Sequence, residues 1–248
     1  MKRCLITLFC LSVFATAAKP VLIQGGTYMP AVRLQQNIQP ITVNSFYLDK
    51  DAVTEAEYLR FVQQQPRWQR SQTPAVFADS GYLSHWQNDT ALADSGQAQQ
   101  PVRRVSWFAA RAYCQQQGGR LASLDEWEYA AVLWRQQQQL SDEDYAKLMF
   151  RWYSNPARTA PIVNNGPGVQ ALLGSLNEWV EDFQLLLSNG DDVDMLSGSC
   201  GDTARFMAEY DAAHYATFFR YQSRSNYLPQ STTSTLGFRC AYDVRSVK

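Results

Sequence analysis

The sequence of 248 residues has few of the residues and patterns that mark common catalytic sites. It contains only two histidines, His85 and His214, and they are too far apart in the sequence to indicate a metal-binding pair at His85. No Gly-x-Ser-x-Gly or Walker motif occurs, which leaves no support for an α/β-hydrolase or a P-loop nucleotide site. The formal net charge is −1, and nothing in the composition favours nucleic-acid binding.

Long apolar runs are missing after the first residues, so no later membrane span is expected. The segment from Met1 to Ala18 has basic residues, a short apolar stretch and an Ala-Thr-Ala pattern, which are typical of an export signal. We expect residues 1–18 to be a signal peptide cleaved after about Ala17 or Ala18. Residues 19–248 then form one domain, because no linker or repeat divides them. This predicts a periplasmic or secreted protein with a net charge of about −3.

Helix and strand signals alternate with long polar segments. Four residues can cap the start of a helix: Thr54, Ser106, Ser123 and Ser141. Glu57 and Glu126 complete two capping boxes, and Gly118 can close the second helix in the left-handed conformation. Short apolar runs predict strands within 21–28, 41–48 and 238–244. The pattern predicts an α+β domain with short strands, few helices and high loop content.

Several segments occur in the order seen in formylglycine-generating enzymes. They are Phe46-Tyr47-Leu48-Asp49, Val53 to Phe61, Pro101-Val102, Val105-Ser106-Trp107 to Tyr129, Asn177-Glu178-Trp179, and Leu236-Gly237-Phe238-Arg239-Cys240. The chain therefore resembles the sulfatase-modifying-factor family over nearly all of its mature length. This resemblance implies the family's variant of the C-type-lectin-like fold. It also implies a Cys114–Cys240 disulfide, which closes a loop of roughly 125 residues and can contribute up to about 4–5 kcal/mol.

The resemblance breaks down at the family's two catalytic cysteines. Aligned with the family's Gly-Gly-Ser segment, these positions are occupied here by Asp202 and Met207. Neither side chain performs thiol chemistry, so copper is not expected at the family's usual site. Whether the chain is an enzyme stays open.

Cys200 is the one cysteine of the mature chain outside the implied Cys114–Cys240 pair, and it is our candidate catalytic residue. An odd thiol in an exported protein is either buried and inert, a soft-metal or redox group, or part of a mixed or intermolecular disulfide. Cys200, Met207 and His214 also include the soft and borderline donors that suit copper.

A calcium site is a second metal hypothesis. Asn177 and Glu178 resemble the family's calcium-associated segment, with Ser175 in place of its first asparagine. Oxygen ligands of this kind suit a structural calcium ion. The alternative is that Glu178 only accepts hydrogen bonds from backbone amides.

Three further residues are candidate binding residues. His85 either packs or caps, or it contacts a ligand. Arg220 and Arg224 are four residues apart and, if helical, can present two cations to an anion. The alternative is a structural pair that bonds loop carbonyls.

The leading functional hypothesis is an exported formylglycine-generating-enzyme-like protein without the family's cysteine-oxidase chemistry. It would act as a binding or maturation accessory for a periplasmic metalloenzyme, and the loop 77–86 resembles the branch associated with copper nitrite reductases. The alternatives are an oxidoreductase with an altered active site, acting on a protein or a small molecule, and a lectin-like ligand binder. Convergence of Cys200, Asp202, His214 and Arg224 on one pocket would favour an enzyme.

Overall fold

The computed structural model describes residues 20–30, 39–155, 168–173, 176–183, 211–225 and 227–244. Within these ranges the helices are α1 (Glu55–Gln64), α2 (Trp107–Gln116), α3 (Leu124–Gln137), α4 (Asp142–Ser154) and α5 (Ala212–Ser225). The strands are β1 (Val21–Ile23), β2 (Gly26–Tyr28), β3 (Ile41–Val43), β4 (Phe46–Leu48), β5 (Trp86–Asn88), β6 (Ala91–Leu92), β7 (Arg120–Leu121), β8 (Asn177–Glu178), β9 (Leu236–Gly237) and β10 (Cys240–Asp243). None of the described helices is long and apolar enough to cross a bilayer. The α+β class predicted from the sequence is confirmed.

The main sheet brings the two ends of the described chain together. Its strand order is β1-β4-β10-β7, and all three pairings are antiparallel. Leu48 of β4 faces Val21 on one side and Ala241 on the other. The remaining strands form two antiparallel ribbons, β2–β3 and β5–β6, and the parallel pair β8–β9. Two predicted strand regions, 21–28 and 41–48, are therefore each two strands that belong to different sheets.

The helix starts follow the capping signals. Thr54 and Ser123 each accept a hydrogen bond from the backbone of the glutamate three residues later, which bonds back to the cap. Each box satisfies two backbone donors that have no partner inside the helix. Gly118 lies just beyond α2 with φ of +78°, a conformation that glycine adopts without a Cβ clash. The predicted caps are thereby confirmed.

The core is built around a cluster of aromatic rings beside the disulfide. Tyr58 of α1 is fully buried and contacts the rings of Phe61, Tyr113, Trp86 and Phe238. Next to it, the disulfide between Cys114 and Cys240 joins α2 to the central strand β10. Both cysteines are completely buried, so the bond implied by the family resemblance connects two parts of the core.

Candidate functional site

Glu178 lies at the centre of a fully satisfied ion pair. The Arg239 guanidinium donates to both of its carboxylate oxygens, at 2.7–3.0 Å, and both side chains are 1% exposed. The indole of Trp127 donates a further hydrogen bond to Glu178, at 2.9 Å. The remaining Arg239 donors bond backbone carbonyls of Asp49, Lys50 and Gln170. This pair therefore connects β8, the short segment between β9 and β10, α3 and two loops.

These contacts bear on the calcium hypothesis. The partners of the Glu178 carboxylate are two side chains, so the alternative in which it accepts only from backbone amides is wrong. Asn177 accepts a hydrogen bond from the Tyr153 hydroxyl at 3.2 Å. Ser175 lies outside the described residues. In the described ranges, no three His, Cys, Asp or Glu side chains are grouped so that they could hold a metal ion. Calcium at this segment stays a prediction, and it would have to share Glu178 with a guanidinium.

Arg220 is buried in a second ion pair, between α5 and α3. Its guanidinium donates to both carboxylate oxygens of Glu128, one of them at 2.6 Å, and it lies 4.9 Å from the Trp127 ring. Burial lowers the pKa of Arg220, but the Glu128 carboxylate together with Tyr145 and Tyr221 raises it, and the pKa lies well above its usual value. Arg220 and Arg224 are both in helix α5, as the binding hypothesis required. The side chain of Arg224 lies outside the described residues. Arg220 bonds the Glu128 carboxylate, and the alternative of a structural pair that bonds loop carbonyls stays a prediction.

His214 belongs to the start of the same helix. Its ring Nδ1 lies 2.8 Å from a carboxylate oxygen of Asp211, whose other oxygen accepts from the His214 backbone. This backbone hydrogen bond is the main cause that lowers the pKa of Asp211. His214 and Arg220 line one cavity of about 120 Å³. Cys200, Asp202 and Met207 lie outside the described residues, so the copper site and the convergence on one pocket stay predictions.

His85 forms the third polar cluster, which also borders a cavity. Its Nε2 lies 2.7 Å from one carboxylate oxygen of Glu55, and the Trp86 indole donates to the other oxygen at 2.7 Å. Glu55 is 2% exposed, whereas the His85 side chain is 18% exposed. Both side chains line a cavity of about 110 Å³ that also contacts Asp94 and Arg103. The predicted alternatives for His85, packing and ligand contact, are therefore compatible here.

Glu55 and Arg103 were not among the residues singled out from the sequence. Glu55 is the first residue of α1, where an acidic side chain is explained by the helix dipole alone. Arg103 follows Val102 in a loop and has no local pattern. The signal that could have found Glu55 is the adjacent pair His85-Trp86, because two ring N–H groups in a buried segment require an acceptor.

Comparison with known proteins includes the following four matches. The family model "Sulfatase-modifying factor enzyme 1-like domain" matches residues 12–244. The chain is 28% identical over 272 residues to the "Formylglycine-generating enzyme" of Mus musculus, covering 88% of this chain and 72% of the mouse protein. It is 30% identical over 239 residues to the mouse "Inactive C-alpha-formylglycine-generating enzyme 2", covering 83% and 73%. The solved structure of PvdO from Pseudomonas aeruginosa matches with 13% identity and a TM-score of 0.41, covering 91% of this chain and 94% of that one.

Proposed function

This chain belongs to the family of sulfatase-modifying factor enzyme 1-like domains, and we propose that it is an exported member that serves as a binding or maturation accessory of a periplasmic metalloenzyme. In this proposal it is not a cysteine oxidase. The observation that carries the proposal is the number of available thiols. Cleavage after residue 18 leaves three cysteines, and the disulfide uses Cys114 and Cys240. Only Cys200 remains.

One thiol cannot supply the pair of thiolates that the family's chemistry requires. The two catalytic positions are occupied by Asp202 and Met207. Aspartate is a hard oxygen ligand and methionine is a neutral thioether, so neither replaces a thiolate as nucleophile or as soft anionic ligand. We infer that this member does not use copper at the family's site.

The altered cysteine segment is the part of the chain that carries Cys200, Asp202 and Met207. Hydrogen bonds fix the described scaffold on either side of it, which supports a binding role. Before the segment, the Trp179 indole donates to the Val105 carbonyl at 2.9 Å, and Glu181 donates its backbone N–H to Ala122 at 2.8 Å. After it, Asp211 caps the start of α5 through the His214 backbone. Rigid scaffolds commonly position the residues that bind partners. The 30% identical mouse relative, named as inactive, supports the persistence of this domain without the activity.

The proposal is tested by oxygen consumption. The purified mature protein is loaded with Cu(I) under anaerobic conditions and then mixed with a cysteine-containing peptide and oxygen. We expect no turnover above the protein-free rate, and the same result for Cys200→Ser. Turnover that Cys200→Ala abolishes would contradict the proposal and establish the alternative, an oxidoreductase with an altered active site.

The accessory role needs its own measurement. Periplasmic extracts from cells with and without this protein are compared for the metal content and specific activity of periplasmic metalloenzymes, with copper nitrite reductase measured first. We expect a loss without the protein that the wild-type chain restores. Unchanged metal content and activity across these enzymes would contradict the accessory role.

A further inference from the structure

The cavity beside His85 is built from residues that are all within the described range 39–155. It lies between the start of α1, the β5–β6 ribbon and the turn Ser95–Gln97. Its volume is about 110 Å³, whereas one ordered water needs only about 10–15 Å³ on the same measure. A small organic molecule therefore fits where one water would leave most of the space empty.

The ring of His85 has one nitrogen without a partner. Nε2 faces Glu55 at 2.7 Å, so a neutral ring carries its proton there and donates to the carboxylate. Nδ1 is then an acceptor, and it is buried without a hydrogen-bond partner in the described part of the chain. Buried polar atoms are normally bonded, and this one lacks an O–H or N–H donor.

Arg103 supplies a cation to the same cavity. Its guanidinium donates to the side-chain oxygen of Gln97 at 3.2 Å, and no carboxylate of the described residues lies within ion-pair distance of it. The side chain is half-buried and lines the cavity with His85. A guanidinium has a planar fork of donors that matches a carboxylate, so it selects this group in a ligand.

Two carboxylates restrict the charge of that ligand. Glu55 lines the cavity and is already bonded by His85 and Trp86. Asp94 also lines it and accepts from the Gly96 backbone at 2.8 Å. A second anionic group on the ligand would face both of them. A hydroxyl is tolerated and an ammonium group is favoured, because Asp94 complements its charge.

We propose that this cavity binds a small monocarboxylate with a hydroxyl or ammonium group next to the carboxylate, that is, an α-hydroxy or α-amino acid. The carboxylate bonds Arg103, and the neighbouring donor bonds Nδ1 of His85. This ligand site is separate from the accessory role, because it uses no residue of the altered cysteine segment.

The backbone holds these two side chains in a fixed relation. Leu83 and Arg104 have φ of +47° and +56°, which non-glycine residues rarely adopt. Leu83 donates its backbone N–H to the Arg104 carbonyl at 3.0 Å, and the Arg104 N–H bonds Thr233. The strained residues thus connect the segment that carries His85 to the segment that carries Arg103. Backbone strain of this kind is commonly retained at functional and ligand-binding sites.

The test is a titration of the full mature chain by calorimetry, with glycolate and glycine as ligands and acetate and malonate as comparisons. We expect saturable binding of glycolate or glycine, with acetate and malonate each at least about tenfold weaker, because acetate lacks the donor and malonate adds a second charge. No saturable binding of either ligand, or malonate binding as tightly, would overturn the proposal.

Two variants and one spectroscopic signal locate the binding. Arg103→Gln should weaken binding at least about tenfold, whereas the matched control Arg111→Gln, which changes an arginine paired with Glu181 outside the cavity, should bind normally. Because the chain has two histidines, ¹⁵N labelling of histidine gives two rings, and His214→Gln identifies His85. The Nδ1 resonance of His85 should shift on saturation. Full binding by Arg103→Gln, or an unchanged Nδ1 signal at saturation, would overturn the site.

Discussion

Glu178 and Glu55 are both almost fully buried, and each accepts a hydrogen bond from a tryptophan indole. They differ in the other side chain that bonds the carboxylate, which is Arg239 for Glu178 and His85 for Glu55. Arg239 donates all five of its N–H groups, to Glu178 and to three backbone carbonyls. His85 bonds Glu55 through one nitrogen, while its other nitrogen has no partner in the described part of the chain.

This difference separates a structural cluster from a candidate recognition site. A buried polar network with every donor and acceptor bonded fixes the segments that carry it and leaves nothing for a ligand. A network with one unpartnered atom beside a cavity is stable only to the extent that a ligand or water completes it. We therefore expect substitutions at the first cluster to change the free energy of unfolding, and substitutions at the second to change binding.

The largest effect is expected for Arg239→Met. It leaves the Glu178 carboxylate buried without its cation, which should lower the free energy of unfolding by about 3–5 kcal/mol. Urea denaturation with the disulfide intact measures this loss. The control is Arg111→Met, which breaks a partly exposed ion pair and should cost about 1 kcal/mol or less. Equal losses in the two variants would remove the distinction between a saturated buried cluster and a partly exposed ion pair.

A second effect concerns Asp49, which lies beside the Arg239 cluster. Its carboxylate accepts from the Cys240 backbone at 3.0 Å, and burial raises its pKa from 3.8 to about 6. The folded state thus favours the protonated form, so the stability that Asp49 contributes is complete below pH about 4 and is lost as the pH rises through about 6. From pH 4 to pH 7 the loss should be about 2 kcal/mol. Asp49→Asn should remove this part of the pH dependence.

The measurement is urea denaturation of both proteins at several pH values. The difference in unfolding free energy, variant minus wild type, should increase with pH in favour of Asp49→Asn. A difference that stays constant would mean that the Asp49 pKa is the same in the folded and unfolded states.

His85→Gln should have a smaller effect, about 1 kcal/mol. An amide can still donate to Glu55, and Trp86 continues to bond the other oxygen. The change removes the ring Nδ1, which contributes no bond inside the described protein. Thermal unfolding and glycolate titration of this variant should show a modest loss of stability together with a clear loss of binding. A stability loss as large as that of Arg239→Met would show that His85 is structural.

The local parts of this fold could be predicted from the sequence, because they depend on residues three or four apart. The capping boxes at Thr54 and Ser123 are examples. The pairs that define both clusters could not, since Glu55 and His85 are 30 residues apart and Glu178 and Arg239 are 61 apart. No periodic pattern relates such positions. The Cys114–Cys240 bond was expected only because of the family resemblance.

Helix α5 shows a second reason for a missed element. Its buried residues include Ala213, Ala216 and Arg220, which are spaced as one face of a helix. A hydrophobic pattern does not count the arginine, although Glu128 neutralises it inside the protein. The sequence therefore indicated this helix only as the condition under which Arg220 and Arg224 would present two cations to an anion. Buried charges hide helical periodicity because their burial depends on a partner elsewhere in the chain.

The smallest effect on stability, and the sharpest contrast with Arg239, is expected for Arg103→Gln. The Arg103 side chain is half-buried and donates to Gln97, so its replacement by an amide should change the unfolding free energy by about 0.5 kcal/mol or less. The same change removes the cation that we infer binds the ligand carboxylate. In the presence of saturating glycolate, the wild-type melting temperature should rise, because a ligand that binds only the folded state stabilises it, and that of the variant should not. If the melting temperatures of both proteins rose equally, the Arg103 cation would have no part in recognition. The two clusters would then differ only in whether every polar atom has a hydrogen-bond partner.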